Sequence, residues 1–287
     1  MTQRVSDQMV TFAAGTFAMA SELDYSNLAG SPGRLPLPAM WIQGLTIANN
    51  AGDATNDIDI AAGQCRDATN AHNLLLSALT KQSDVAWAVG TAAGMLDTGA
   101  VGNSDYYLWA IKRADTGVCD VLSSLSSTAP TMPTNYGFKR LIGWFKRVGG
   151  TIVAFHTYET EGGGVELLWD VPTLDVDLAA TLTTSRRTDA VKVPLNFSVI
   201  AQLSVVMTDA AAAAFIWIYC PDQPDTAPSS SASPLCNITA GVDSLVANPV
   251  PMHIRTSSTG TIAARSTLAT VDVYRVATVG FTWARRN

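Results

Sequence analysis

The chain carries little charge, and almost none of it is of the kind that coats helices. Only 15% of its 287 residues are Asp, Glu, Lys or Arg, against about 25% in an ordinary soluble domain. Glu occurs 4 times beside 20 Asp, and Lys 5 times beside 13 Arg. Glu and Lys populate exposed helix faces, whereas Asp, with the abundant Thr, Ser, Asn and 21 Gly, belongs to turns and strand ends. Their scarcity excludes a helical protein and predicts an all-β fold. A surface short of charge is typical of a chain packed against other subunits, so the same shortage predicts homo-oligomerisation.

Other absences narrow the function. No apolar run reaches 18 residues, and the N-terminus lacks a basic segment followed by an apolar core, so neither membrane insertion nor Sec export is expected. A net charge of −6 and a pI near 4.9 weigh against a nucleic-acid groove, which needs clustered cations. The pairs Arg186-Arg187 and Arg285-Arg286 are too short to supply one. The G-x-S-x-G, P-loop, H-E-x-x-H and G-x-G-x-x-G signatures are all missing. His72, His156 and His253 stand alone in separate strand-like runs. Cys65, Cys119, Cys220 and Cys236 form no C-x-x-C pair, so free, mostly buried thiols are expected, with Cys220 and Cys236 close together across a Pro/Ser loop. No catalytic, cofactor-binding or metal-ligating residue is assigned, and the chain reads as a non-enzyme that needs no cofactor.

What the sequence does contain is a succession of short strand-like runs broken by turn chemistry. Residues 1–37 differ from the rest, with small apolar clusters at 10–12 and 17–19 followed by the proline-rich 31–38. They read as an attachment arm and linker, too poor in apolar area to order alone against a backbone entropy cost of roughly 1–2 kcal/mol per residue. From Met40 onward, strands are expected at 40–47, 72–79 and 106–113. The clearest hairpin is 138–147 with 151–158, joined by Gly149-Gly150, whose glycines supply the positive φ of a tight turn. After Trp169-Asp170-Val171-Pro172 the strictly alternating Leu174-Asp175-Val176-Asp177-Leu178 predicts a strand with its apolar residues on one face. A soft boundary therefore falls there, giving a β-rich domain over 38–172 and a C-terminal β-sandwich domain over 173–287. Further strands are expected at 197–207, 215–220, 252–255, 261–265 and 268–283. Residues 222–234 (DQPDTAPSSSASP) read as a loop, and Ala210–Ala214 as a helix-like tract too short to stand alone.

Two groups invite functional readings. Asp53, Asp57 and Asp59 could gather around calcium, but their order does not match an EF-hand, and a solvated turn leading into a strand is the reading preferred. The 7 Trp and 7 Tyr would suit sugar stacking, yet Trp41, Trp109, Trp144 and Trp217 alternate with apolar residues and are expected mostly in the core.

The stretches 44–50 (GLTIANN), 56–70 (NDIDIAAGQCRDATN), 79–99, 106–124, 130–146 (PTMPTNYGFKRLIGWFK) and 167–172 (LLWDVP) together resemble bacteriophage tail or virion appendage proteins. The resemblance covers roughly residues 40–172, with an echo at 219–229 (YCPDQPDTAPS), and extends to prophage and gene-transfer-agent-like particles. It implies a virion location, homo-oligomerisation and contact with the host surface, and it implies no catalytic residues. The expected architecture is an antiparallel β-sandwich or jelly roll with an extended N-terminal arm. The expected function is a structural component of a phage virion, a tail fibre, spike or baseplate-proximal appendage, made in the bacterial host cytoplasm. It would assemble as a homotrimer and dock on other virion proteins through residues 1–37. A glycan receptor-binding module, using exposed aromatics and the 222–234 loop, is the alternative. A polysaccharide depolymerase is disfavoured because no solenoid repeat is present.

Overall fold

A computed structural model describes residues 9–11, 17–19, 38–209, 213–229, 238–240 and 249–285. Among them the fold is all-β, with one turn of 3-10 helix at Glu161–Gly163 and no α-helix. In chain order the strands are β1 (Met9–Thr11), β2 (Phe17–Met19), β3 (Ile42–Gly44), β4 (Ile47–Asn49), β5 (Asp57–Ile60), β6 (Gly63–Arg66), β7 (Asn73–Leu76) and β8 (Leu79–Ala86). Then come β9 (Ala93–Leu96), β10 (Asp105–Arg113), β11 (Cys119–Ser124), β12 (Tyr136–Val148), β13 (Thr151–Ile152), β14 (Phe155–Glu159) and β15 (Val165–Leu182). The last are β16 (Arg187–Ala190), β17 (Ile200–Thr208), β18 (Ala214–Tyr219), β19 (Ile238–Ala240), β20 (Val250–Arg255), β21 (Thr261–Ser266) and β22 (Val271–Trp283).

Three larger sheets carry the architecture. An eight-stranded sheet runs β13-β12-β10-β11-β9-β8-β5-β4, a five-stranded sheet β14-β15-β22-β17-β20, and a four-stranded sheet β16-β21-β18-β19. A small β3-β6-β7 sheet and the β1-β2 pair complete the set. All pairings are antiparallel except those of β9 with β8 and β11, which are parallel. Apart from β1 and β2, the proposed arm at 1–37 lies outside the described residues, as do 210–212, 230–237 and 241–248.

Where strands break differently from expectation, local backbone explains it. The expected strand at 40–47 divides into β3 and β4 because Gly44 and Leu45 both take positive φ (65° and 55°), turning the chain from the small sheet to the large one. A Cβ at Gly44 would lie 2.4 Å from the Ala62 carbonyl oxygen, so only glycine fits. The Gly149-Gly150 turn forms as expected, with φ of 63° and 83° and Val148 opposite Thr151. Its second arm is short, however. The Phe155 amide donates to Asn49 Oδ1 at 3.0 Å, and the chain leaves β12 to pair as β14 with β15.

The alternation at 174–178 is also interrupted. Leu174 opposes Ala277 and Val176 opposes Val276, so Asp175 is the extra residue of a bulge. Val176 is buried while Leu174 is 51% exposed, so the two do not share the core face. The bulge turns the Asp175 carboxylate inward, where it accepts from the Thr278 hydroxyl, the Thr278 amide (3.2 Å) and the Lys192 amide (3.4 Å). Burial raises its pKa despite these bonds.

β15 continues through Pro172-Thr173, where the sequence places its soft boundary, although its pairing with β22 skips from Leu168 to Thr173, and the buried apolar residues on the two sides belong to one cluster running from Ile42 to Trp283. Trp144 of β12 marks the seam between the eight- and five-stranded sheets. It meets Trp169 of β15 and Phe281 of β22 edge-to-face, at centroid distances of 5.8 and 5.6 Å. Phe197 continues the seam, stacking on Trp283 at 4.8 Å and standing edge-on to Tyr107 at 6.0 Å.

The β6–β7 connection turns on one carboxylate. Buried Asp67 accepts from the Thr69 hydroxyl and from the amides of Thr69 (3.1 Å), Ala71 (2.8 Å) and His72 (2.6 Å). Desolvation pushes its pKa up, but the hydrogen bonds outweigh it and the net shift is downward. A depressed folded-state pKa means a contribution fully present above the unfolded value near 4 and lost as pH falls through the folded value. Asp67→Ala should therefore lower stability by about 2–3 kcal/mol at pH 7, and the gap to wild type should narrow as pH falls below the unfolded value and through the lowered folded-state value. Thermal melts of both proteins across this range check it; a gap independent of pH would assign the loss to packing.

Candidate functional site

The residues singled out in the sequence do not converge. Asp53 closes a turn, its Oδ1 accepting from the amides of Thr55 (3.0 Å) and Asn56 (3.1 Å). Asp59 instead accepts from Asn50 Nδ2 (2.8 Å) and the Thr80 hydroxyl (2.6 Å). Asp57 lies between them, its pKa raised by burial and then by Asp53, Asp84 and Asp59. These are the contacts of a turn leading into β5. No group of three or more His, Cys, Asp or Glu side chains that could hold a metal occurs among the described residues. His72 stacks on Phe138 with centroids 3.6 Å apart, His156 contacts Asp170 at 3.0 Å on an exposed surface, and His253 points outward from β20.

Cys65, Cys119 and Cys220 are free thiols, while Cys236 lies outside the described residues. Burial pushes the Cys65 thiol up to about 12, so it stays protonated and inert. Trp109 and Trp144 are core residues and Trp217 stacks on Tyr219, whereas Trp41 is 38% exposed. The described part of the 222–234 loop is pinned at its base. Arg186 donates to the Pro221 carbonyl, and Asp225 takes bonds from the Tyr219 hydroxyl and Arg265 Nη1, each at 3.0 Å.

Sequence reasoning missed the buried charges. Lys81 and Asp120 form an ion pair at 3.1 Å with side-chain exposures of 0% and 2%. Lys81 Nζ also donates to the carbonyls of Ala88 (2.7 Å) and Gly90 (3.1 Å), and Asp120 accepts from the Gly90 amide (2.8 Å). The pair thereby fastens the β8–β9 connection to β11. Arg285, fully buried, donates to the carbonyls of Gly163 (2.7 Å) and Leu45 (3.1 Å), while its own carbonyl accepts from Arg140 at 2.5 Å. Burial lowers the Arg285 pKa to about 10, with Glu159 opposing the shift. Neither Lys81 nor Arg285 carries a sequence motif, because burial here comes from pairing partners distant in the chain.

Of the remaining surface features, two bear on function. One is a groove of about 520 Å³ at an end of the eight-stranded sheet, formed where the segments 86–89, 97–99 and 131–136 meet beside Arg113. The other is the outer edge of β15. β14 pairs only with Val165–Trp169, so beyond Trp169 no strand covers the side of β15 opposite β22 among the described residues. That edge carries Val171, 75% exposed, and Leu174, 51% exposed.

No family model, curated protein or solved structure matches the chain. Function therefore rests on these surfaces and on the sequence.

Proposed function

We propose that the chain is a non-catalytic structural component of a bacteriophage particle, a fibre, spike or baseplate-proximal appendage that assembles as a homotrimer. The observation that carries the assembly is the open edge of β15. A long strand edge with exposed apolar side chains is a ready template for pairing with another chain, and proteins that stay monomeric guard such edges with charge, proline or a covering element. β20, the opposite edge of the same sheet, is only 6 residues long, with Pro251, His253 and Arg255 exposed, whereas the open stretch of β15 is longer, although it too carries Pro172 and the exposed Asp177. Contact between the β15 edge and a different surface of each successive copy is head-to-tail, the geometry that closes into a ring. The low charge of the chain supports the same reading, and the phage-appendage resemblance over roughly 40–172 supplies the particle. In this reading residues 1–37 dock the trimer on a neighbouring virion protein.

Light scattering tests the assembly. The wild-type chain should give about three times its 30.3 kDa mass, and Val171→Asp combined with Leu174→Lys should reduce it to the monomer value, with Tm changed by only a few degrees because both side chains are exposed. A wild-type monomer at micromolar concentration would overturn the proposal.

A further inference from the structure

The groove beside Arg113 combines an apolar floor with a hydroxyl-rich rim. Trp87 is half-buried and held in place by its Nε1, which donates to the Val121 carbonyl at 3.0 Å. Tyr136 stands edge-on to it at 5.1 Å and 76°, and Met132 and Pro133 extend the apolar lining. Above this floor Thr98, Thr131 and Thr134 are exposed, and their hydroxyls make no side-chain hydrogen bond among the described residues. Asp97 accepts from the Thr131 amide at 2.8 Å through Oδ2, which leaves Oδ1 to accept from a ligand. The volume lies within the roughly 300–1,000 Å³ of small-molecule sites.

Charge decides the ligand class. The only cation lining the groove among the described residues is Arg113, whose guanidinium lies over the Tyr136 ring at 5.9 Å and is already gripped on two sides by Asp115, at 2.8 and 2.6 Å. An anionic ligand would find no unpaired cation and would face the Asp97 carboxylate. A neutral pyranose meets the whole arrangement: its C–H face covers apolar aromatic surface, and its ring hydroxyls bond in pairs to a carboxylate oxygen and to threonine hydroxyls.

We propose that this groove binds a neutral pyranoside, the non-reducing or internal unit of a surface glycan. The site is distinct from the 222–234 loop, and the proposal does not rest on trimer formation or on a virion role. Binding of one sugar unit in an open groove should be weak, with a dissociation constant on the order of millimolar, and should gain strength by avidity in an oligomer.

The test is saturation-transfer NMR of the full chain with methyl glycosides of glucose, galactose, mannose and rhamnose, beside glucuronic and sialic acids as anionic controls. At least one neutral glycoside should bind saturably and more tightly than either acid. Thr98→Trp, an exposed position that fills the groove, should abolish binding. Thr98→Ala with Thr134→Ala, which removes hydroxyls that no internal partner uses, should weaken it at least about fivefold at unchanged Tm. The absence of saturable binding by any neutral glycoside up to about 20 mM, a preference for the acids, or binding that survives both variants would overturn the proposal. Loss of sugar binding with light-scattering mass and particle incorporation unchanged would leave the structural role standing, so the two readings fail separately.

Discussion

Lys81→Met should lower stability by roughly 3–5 kcal/mol, because it strands the Asp120 carboxylate in a site with no other cation hydrogen-bonded to it. The exposed ion pairs of this chain offer a contrast: Arg275–Asp177, with exposures of 48% and 56%, should cost no more than about 1 kcal/mol to break. Burial makes the difference. Desolvation lowers the Lys81 pKa and the adjoining Asp120 opposes that shift. The double variant Lys81→Met with Asp120→Asn removes both charges while keeping an acceptor for the Gly90 amide, and it should recover most of the loss. Chemical denaturation of the three proteins measures this directly. If the double variant were as unstable as the single one, the loss would belong to the carbonyls of Ala88 and Gly90 that Lys81 satisfies, and not to the stranded charge.

Trp144→Ala should cost about 3–5 kcal/mol, and the form of the unfolding curve matters as much as its midpoint. Trp144 sits on the eight-stranded sheet with both of its ring partners on the five-stranded sheet. Removing it empties the seam between them, where Tyr107 also reaches across to donate its hydroxyl to the Leu195 carbonyl at 3.1 Å. The wild-type chain should unfold in one transition when followed by fluorescence and by far-UV circular dichroism, since β15 and one apolar cluster span the two halves. The variant should either shift as a whole or separate into two transitions. A wild-type curve already in two steps would show that residues 38–172 and 173–287 unfold as independent domains.

Composition made the fold class legible for a physical reason. The excess of Asp over Glu and Arg over Lys reflects how few exposed helix positions the chain needs to fill, and strands followed at 106–113, 215–220 and 261–265 with shifts of about a residue at their ends. Gly149-Gly150 was readable because no other residue pair tolerates two successive positive φ values so easily. Leu45 was not, since a non-glycine at φ 55° is imposed by the tertiary structure and leaves no local signal. The Asp175 bulge was hidden by the very alternation that predicted the strand. The groove was beyond reach for a different reason: Trp87, Asp97, Arg113 and Thr134 come from four separate segments, and only the pairing of β8, β9, β10 and β12 brings them together.

Immunogold electron microscopy of purified particles, with antibody against this chain, decides whether it is a structural part of a phage particle. The account predicts gold at a fixed place on the tail, spike or baseplate of intact particles, lost when residues 1–37 are deleted from an otherwise folded chain. Unlabelled particles, with the chain recovered only from the soluble fraction of the lysate, would contradict it.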